Sequence, residues 1–375
     1  SLLKLRAGYG VTGSLPGPSG LSQDQYDYSL NGGGNVTLRV NGNKDLKWEQ
    51  KAETNLGLEF VVGKLNGTLD VYSRTIKDFI LLRNVPVTQY PSGQRYENAG
   101  KLKTPGIELT LSYNSLEFGD LRWTPGVVLS HYKTTLEEFI IDRQVRADFG
   151  SPGQNGTYPL LVAVGEPIGQ IWGPVFEGVE GNGAPRFADL NGDGSVVSNP
   201  SDALDPAADM KVLGNGIPTM ELGWTNRLTF KNWDMNVFFR GAFGHSLINQ
   251  FRAFYEPLDP GAINSYNRII TSLAVEGLTS AQYSSLYVEK ADFLKLDNMS
   301  IGYNFNISPT SLVKSFRLYA TGQNLFQITN YTGIDPEPVL ADPEADPDDV
   351  LAPGLDRRNN YFTSRTFTFG LNVGF

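Results

Sequence analysis

The chain has 375 residues, 40 % hydrophobic and 19 % charged, with 41 Gly, 22 Pro, 21 Phe, 17 Tyr and 5 Trp, a profile of many strands and turns that excludes helical bundles and coiled coils. With no Cys and only two His, His131 and His245, disulfide frameworks, thiolate sites and thiol nucleophiles are excluded, and little is left for a zinc centre or a Ser-His-Asp triad. The net charge of −9 speaks against nucleic acid, whose phosphates call for a basic face.

No run approaches the roughly 18 consecutive apolar residues of a membrane-spanning helix. Strands that are apolar on one face only can still cross a membrane as a β-barrel. In chain order, ten strands are predicted near 2–10, 52–61, 65–82, 104–113, 120–134, 219–230, 232–244, 287–304, 314–326 and 363–375. Their signature is alternation. Trp233, Met235, Val237 and Phe239 interleave with Asp234, Asn236, Phe238 and Arg240, and the final segment sets Phe367, Phe369, Leu371, Val373 and Phe375 against Thr366, Thr368, Gly370, Asn372 and Gly374. The sequence opens at Ser1, without Met and without a signal peptide, so the expectation is that a leader has been removed or that the chain is a piece of something longer.

The connections alternate strictly between short ones, near 62–64, 114–119, 231 and 305–313, and long ones, near 11–51, 83–103, 135–218, 245–286 and 327–362. A soluble sandwich has no reason to gather every long loop at one end. An outer-membrane barrel does, with short periplasmic turns and long extracellular loops. The fold class expected is therefore all-β, a transmembrane antiparallel β-barrel. Tyr9, Phe79, Tyr113, Trp123, Tyr132, Trp224, Phe230, Trp233, Phe243, Tyr303, Phe305 and Tyr361 fall near strand ends, as aromatic girdles require. Phe375, closing an alternating strand at the last residue, looks like the signal by which the barrel assembly machinery recognises outer-membrane barrels for insertion.

The acidity is concentrated. Loop 135–218 carries a net −8 and loop 327–362 a net −6, so the remainder of the chain is positive. Solvated loops account for this, and so does an outward docking or cation-binding rim. Within the first loop, Asp189, Asn191, Asp193 and Ser195 have the early spacing of an EF-hand calcium loop, with Gly194 at its tight turn; Pro200 replaces the closing glutamate, leaving Asp202, Asp205 or Asp209 to supply the missing carboxylate. The alternative is a metal-free Asx-turn loop. Loop 245–286 gathers Arg252, Phe254, Tyr255 and Tyr266, aromatic faces and a cation that suit sugar rings or peptide backbones, unless the loop folds on its own apolar cluster. Nothing fixes two carboxylates at a catalytic separation, and no enzyme is expected.

Four segments together resemble the SusC/RagA family of TonB-dependent outer-membrane transporters of Bacteroidota: 46–60 (LKWEQKAETNLGLEF), 98–109 (NAGKLKTPGIEL), 165–173 (GEPIGQIWG) and 322–337 (GQNLFQITNYTGIDPE). The Asp189 loop also resembles one this family carries between the third and fourth. The resemblance implies that residues 1–375 are the last ten or so strands of a 22-stranded barrel whose plug and TonB box lie elsewhere. A closed ten-stranded barrel is the other option that an even strand count permits. The resemblance further implies import of oligosaccharides or peptides beneath a SusD-like lipoprotein lid, driven by TonB with ExbB and ExbD. No cofactor is required on that view beyond possible Ca2+. A non-energised adhesin or assembly component is the rival reading.

Overall fold

The computed structural model describes residues 2–15, 19–29, 34–146, 149, 157–198, 205, 208–257, 268–280, 282–308, 310, 312–338, 351, 353–358 and 360–375. All ten predicted strands are present: β1 (Leu2–Ser14), β2 (Glu49–Val62), β3 (Leu65–Asn84), β4 (Gln94–Tyr113), β5 (Leu121–Tyr132), β6 (Met220–Phe230), β7 (Trp233–Phe243), β8 (Phe293–Asn304), β9 (Ser315–Thr329) and β10 (Thr366–Gly374). They form one antiparallel sheet in chain order, each strand paired with the next, and two short strands, Leu116–Phe118 and Thr135–Phe139, pair alongside. Among the described residues no pairing joins β10 to β1, so these strands make an open section of wall rather than a closed ten-stranded barrel.

Directly opposed residues of an antiparallel pair share a face, and the register sorts the sequence cleanly. One lateral row runs Leu5, Leu58, Leu69, Leu109, Leu129, Leu222. A second runs Phe230, Trp233, Tyr303, Leu318, Leu371. This face is apolar and open to its surroundings: Leu5 is 80 % and Phe369 81 % exposed. Among its polar members is Asn226, which stands opposite Val237 and accepts a hydrogen bond from the Trp123 indole at 3.1 Å. The other face carries Arg6, Asp70, Glu108, Glu221, Asp234, Arg240 and Arg317. Such a sheet is stable with lipid on one side and water on the other.

The short turns need unusual backbone. Gly63 has φ 59° and Lys231 φ 52°, each at the first position of a two-residue hairpin link, where positive φ matches the twist of the strands it joins. Next to the Lys231 turn, Trp233, Tyr303, Phe305 and Phe316 form a chain of rings with centroids 4.8, 4.9 and 5.1 Å apart. That is one aromatic girdle, at the short-turn end. Two of the predicted girdle residues are elsewhere: Phe79 is buried in a loop core and Tyr132 is on the polar face.

The long connections are more structured than expected. The loop predicted at 83–103 shrinks to nine residues, because β3 and β4 run to 20 residues each. The 11–51 connection loses both ends to β1 and β2 and holds a hairpin, Gln25–Ser29 with Asn35–Val40. The strand predicted from 287 starts at Phe293. Ahead of it, Ser285–Tyr287 forms a 3-10 turn and Val288–Lys290 pairs with Ser246–Asn249, which pulls these residues out of the wall. The buried apolar core lies here as well, in Leu160, Ile171, Ile248, Ala253, Tyr283 and Tyr287, with a second cluster around Phe79, Ala99, Leu136 and Val162. No helix among the described residues is long and apolar enough to cross a membrane.

Candidate functional site on the polar face of the wall

The period of two that turns leucines outward turns charges inward on the same strands. Arg6, Gly57, Asp70, Glu108, Ser130, Glu221 and Ala242 form one lateral row across seven strands. Arg6 bonds both oxygens of Asp70 at 3.1 Å and Glu59 at 2.8 Å. Gly57 between them leaves the room, since a Cβ there would lie 2.6 Å from Asp70 Oδ1. Arg74 meets Glu53 at 2.9 Å, and Tyr132 donates its hydroxyl to Glu221 at 3.1 Å. Nearer the short turns, Asp234 takes Arg317 Nε at 3.0 Å and Nη2 at 2.5 Å, together with Asn304 Nδ2 at 2.8 Å.

At the other end of this face a cavity of about 440 Å³ opens between β5, β6, β7 and a segment near Pro336, lined among others by Ser130, Glu221, Phe238, Arg240, His245 and Glu337. Arg240 grips both carboxylate oxygens of Glu337, the Nη2–Oε2 contact measuring 2.7 Å, and its Nη2 also approaches Asp297 at 3.5 Å. His245 is 3 % exposed, with Nε2 3.2 Å from the Pro336 carbonyl. Burial pushes its pKa down and outweighs the pull of that carbonyl and of Asp292 and Glu337, so the ring is neutral and Nε2–H donates. The wall thus supplies separated cations, anions and aromatic surface, suited to binding and passing a polar solute. Asp234, Asn236 and Arg240 all face this side, as their alternation predicted. Glu337 and Glu221 had no signal of their own, because the contacts that define them come from residues 97 and 89 positions away.

The other predicted sites fare differently. Arg252 is corrected from ligand contact to structural element: it is 1 % exposed, and its nitrogens bond Glu256 at 2.8 Å, Glu289 at 2.8 Å and the carbonyls of Leu286 and Leu273 at 3.1 Å. Phe254 is buried under the Arg358 guanidinium, 4.0 Å from its ring centroid, and Tyr255 packs on Phe251 and Phe254. The loop is folded on its own cluster. Tyr266 and Asp202 lie outside the described residues.

In the Asp189 loop the oxygens are engaged by backbone: Asp189 accepts from Gly192 at 2.6 Å and Gly194 at 2.9 Å, Asn191 from Asp193 at 2.9 Å, and Asp193 from Ser195 at 2.7 Å. Buried Asp209 closes the loop by accepting from Val197, Leu190 and Asn191, bonds that hold its carboxyl below the usual range. These are Asx turns. No group of three or more His, Asp or Glu side chains able to hold a metal exists among the described residues. Phe375 follows β10 directly and is 80 % exposed.

The family model "TonB dependent receptor-like, beta-barrel" matches residues 2–325. Among curated proteins, TonB-dependent receptor P3 of Formosa agariphila is 29 % identical over 99 % of this chain and 39 % of its own length. The TonB-dependent receptor SusC of Bacteroides thetaiotaomicron is 26 % identical over 100 % of this chain and 37 % of its own. Among solved structures, that of the RagAB peptide transporter superposes with a TM-score of 0.79 at 19 % identity, over 100 % of this chain and 40 % of that one. The chain thus spans about two fifths of the length of the curated relatives it matches.

Proposed function

Because this chain belongs to the TonB dependent receptor-like β-barrel family, we propose that it is part of the wall of a SusC/RagA-type outer-membrane transporter that draws oligomeric solutes, glycans or peptides, along its polar face. The observation that supports this most is the two-faced sheet, which sets a row of leucines across six strands outward and ion-paired charges with a cavity on the opposite face.

In this reading residues 1–375 are one portion of a single barrel in the outer membrane of a Gram-negative bacterium of Bacteroidota type, with the long connections extracellular. A SusD-like lipoprotein closes over those loops. TonB with ExbB and ExbD supplies force through a plug contributed by another part of a longer protein, and Phe375 is read by the barrel assembly machinery. No catalytic step is invoked. Calcium at the Asp189–Ser195 loop is a separate proposal, supported by the spacing of its oxygen side chains and tested by whether millimolar Ca2+ protects that loop from protease.

The test is uptake of a labelled oligomer by cells carrying the full-length protein, before and after collapse of the proton gradient. Uptake that stops on collapse, with a lipoprotein copurifying in mild detergent, is the result expected. Uptake that continues unchanged would remove the energised mechanism.

A further inference from the structure

We propose that the outward side of β3, β4 and β5, just above the apolar band, docks a phosphorylated glycolipid of the outer leaflet, its phosphates meeting Lys77 and Lys133 and its acyl chains the leucines below. The inference rests on the reading of this chain as outer-membrane wall with its long connections extracellular. Register places the cations. Leu69, Val71, Ser73, Thr75 and Lys77 share one side of β3, directly opposite Leu109, Ile107, Pro105, Lys103 and Lys101 of β4. On β5, His131 stands opposite Ile107, and two residues on the Lys133 N–H bonds the Pro105 carbonyl at 3.3 Å. Climbing the same strands, the outward face thus changes from leucine to lysine.

The height of the change fits a headgroup. Lys77 stands thirteen residues beyond Lys64 of the short turn, which at about 3.3 Å per residue and the usual barrel tilt is a climb of roughly 30 Å, against an apolar band of about 25 Å. Tyr9, 74 % exposed in the row of Thr54, Ser73 and Pro105, places an aromatic ring at that boundary, as interfaces favour. The charge fits phosphate. Lys101 meets Glu137 at 2.7 Å and Glu138 at 3.6 Å, and Lys103 meets Glu137 at 3.5 Å. Lys77 and Lys133 flank these pairs, are exposed, and make no side-chain hydrogen bond or ion pair among the described residues. Two cations are therefore left for an outside anion, on the side of the protein where loops 135–218 and 327–362 are otherwise strongly acidic. Beside Lys77 and Lys101 a polar hollow of about 410 Å³, lined also by Asp78, Asn98 and Glu138, has the size of a small-molecule site and the acceptors to receive sugar hydroxyls.

The experiment is native mass spectrometry of the full-length protein, delipidated in mild detergent with whatever lipoprotein copurifies, and titrated with lipid A and with the same lipid stripped of its phosphates. Each lysine near an anionic headgroup is worth about a fivefold factor in affinity, so lipid A binds at least on the order of tenfold tighter than the stripped lipid. Lys77→Gln and Lys133→Gln each lose about fivefold of the lipid A affinity and none of the affinity for the stripped lipid, whereas Lys64→Gln, at the short-turn end, loses neither. Equal affinity for the two lipids, or undiminished lipid A binding in the Lys77→Gln, Lys133→Gln double variant, would overturn the proposal. So would release of bound lipid A by millimolar inorganic phosphate, the mark of a free-anion site, or shielding of these lysines from acetylation by a copurifying protein instead of by lipid A. Flotation with lipid vesicles separates this inference from the reading beneath it. Protein that does not enter vesicles sinks the membrane wall and this site together, and protein that enters them without preferring phosphate sinks this site alone.

Discussion

In the wall, Leu3, Leu56 and Phe367 stand more than half exposed, whereas beyond the strand ends Leu160, Ile171, Ile248 and Tyr287 are wholly buried. The same residue types thus serve two solvents. The loops fold as a water-soluble domain does, by removing side chains from water around a packed centre. The wall has no such centre, and its apolar face is completed by hydrocarbon. Exposed leucine is a flaw in the first region and a requirement in the second, so burial is a measure of stability in the loops and of nothing in the wall.

Substitutions break or sharpen this contrast. The largest effect is expected in the loops at Arg252→Ala, which strands Glu256 and Glu289 in a dry site; losing one partner of a buried pair costs about 3–5 kcal/mol. Thermal unfolding and protease release of the loops would register it, while the wall keeps its heat-modifiable mobility on gels. Ile248→Ala follows at about 2–5 kcal/mol, by cavity formation. Tyr287→Phe in the same core has no cost, because the Tyr287 hydroxyl is buried without a partner.

In the wall the response inverts. Leu58→Arg on the outward face costs about 2–4 kcal/mol in a bilayer, whereas Thr68→Arg, on the polar face opposite Glu59, stays within about 0.5 kcal/mol; reconstitution yield separates the two. A smaller effect comes from pH. His245 is held neutral by burial, so its pKa in the fold lies below the unfolded value, and stability is lost as pH falls through about 6.5. Protease cleavage near Pro336 should rise between pH 7.5 and 5.5 and should not in His245→Gln. The smallest is Lys4→Ala, where a 3.3 Å pair with Glu59 on an exposed side chain is worth ~0.2–1 kcal/mol.

What the sequence could reveal follows from the same contrast. Alternation is imposed by two solvents acting on one strand, so all ten wall strands were legible, and with them the inward placement of Asp234, Asn236 and Arg240. Where the strands leave the membrane both faces meet water or protein and the signal vanishes. Hence Gln94–Lys103 read as loop, although Arg95, Glu97 and Lys101 lie on β4. The bulge between Phe238 and Phe239 shifts register within β7–β8 and obscured which residues of β8 face Arg240, Lys295 among them. In the loops, aromatics beside an arginine looked like a ligand platform, but the acids that claim Arg252 sit at 256 and 289, and only folding shows that they reach it.

The hairpin of β3 and β4 has a mechanical consequence. Twenty residues at about 3.3 Å each give a ribbon of roughly 66 Å, which at the usual barrel tilt climbs some 45–50 Å, against an apolar band of about 25 Å. Close to half of it therefore stands clear of that band, as a mast. The tip is braced by Asn41, whose backbone N–H bonds the Gln94 carbonyl at 2.9 Å and whose side chain accepts from the backbone of Ser92 at 3.0 Å, and by Asn98, which bonds the Lys47 and Asp78 carbonyls at 2.9 and 2.8 Å. A load applied there acts on a stayed spar, and is carried down the strands into the wall rather than absorbed by a slack loop.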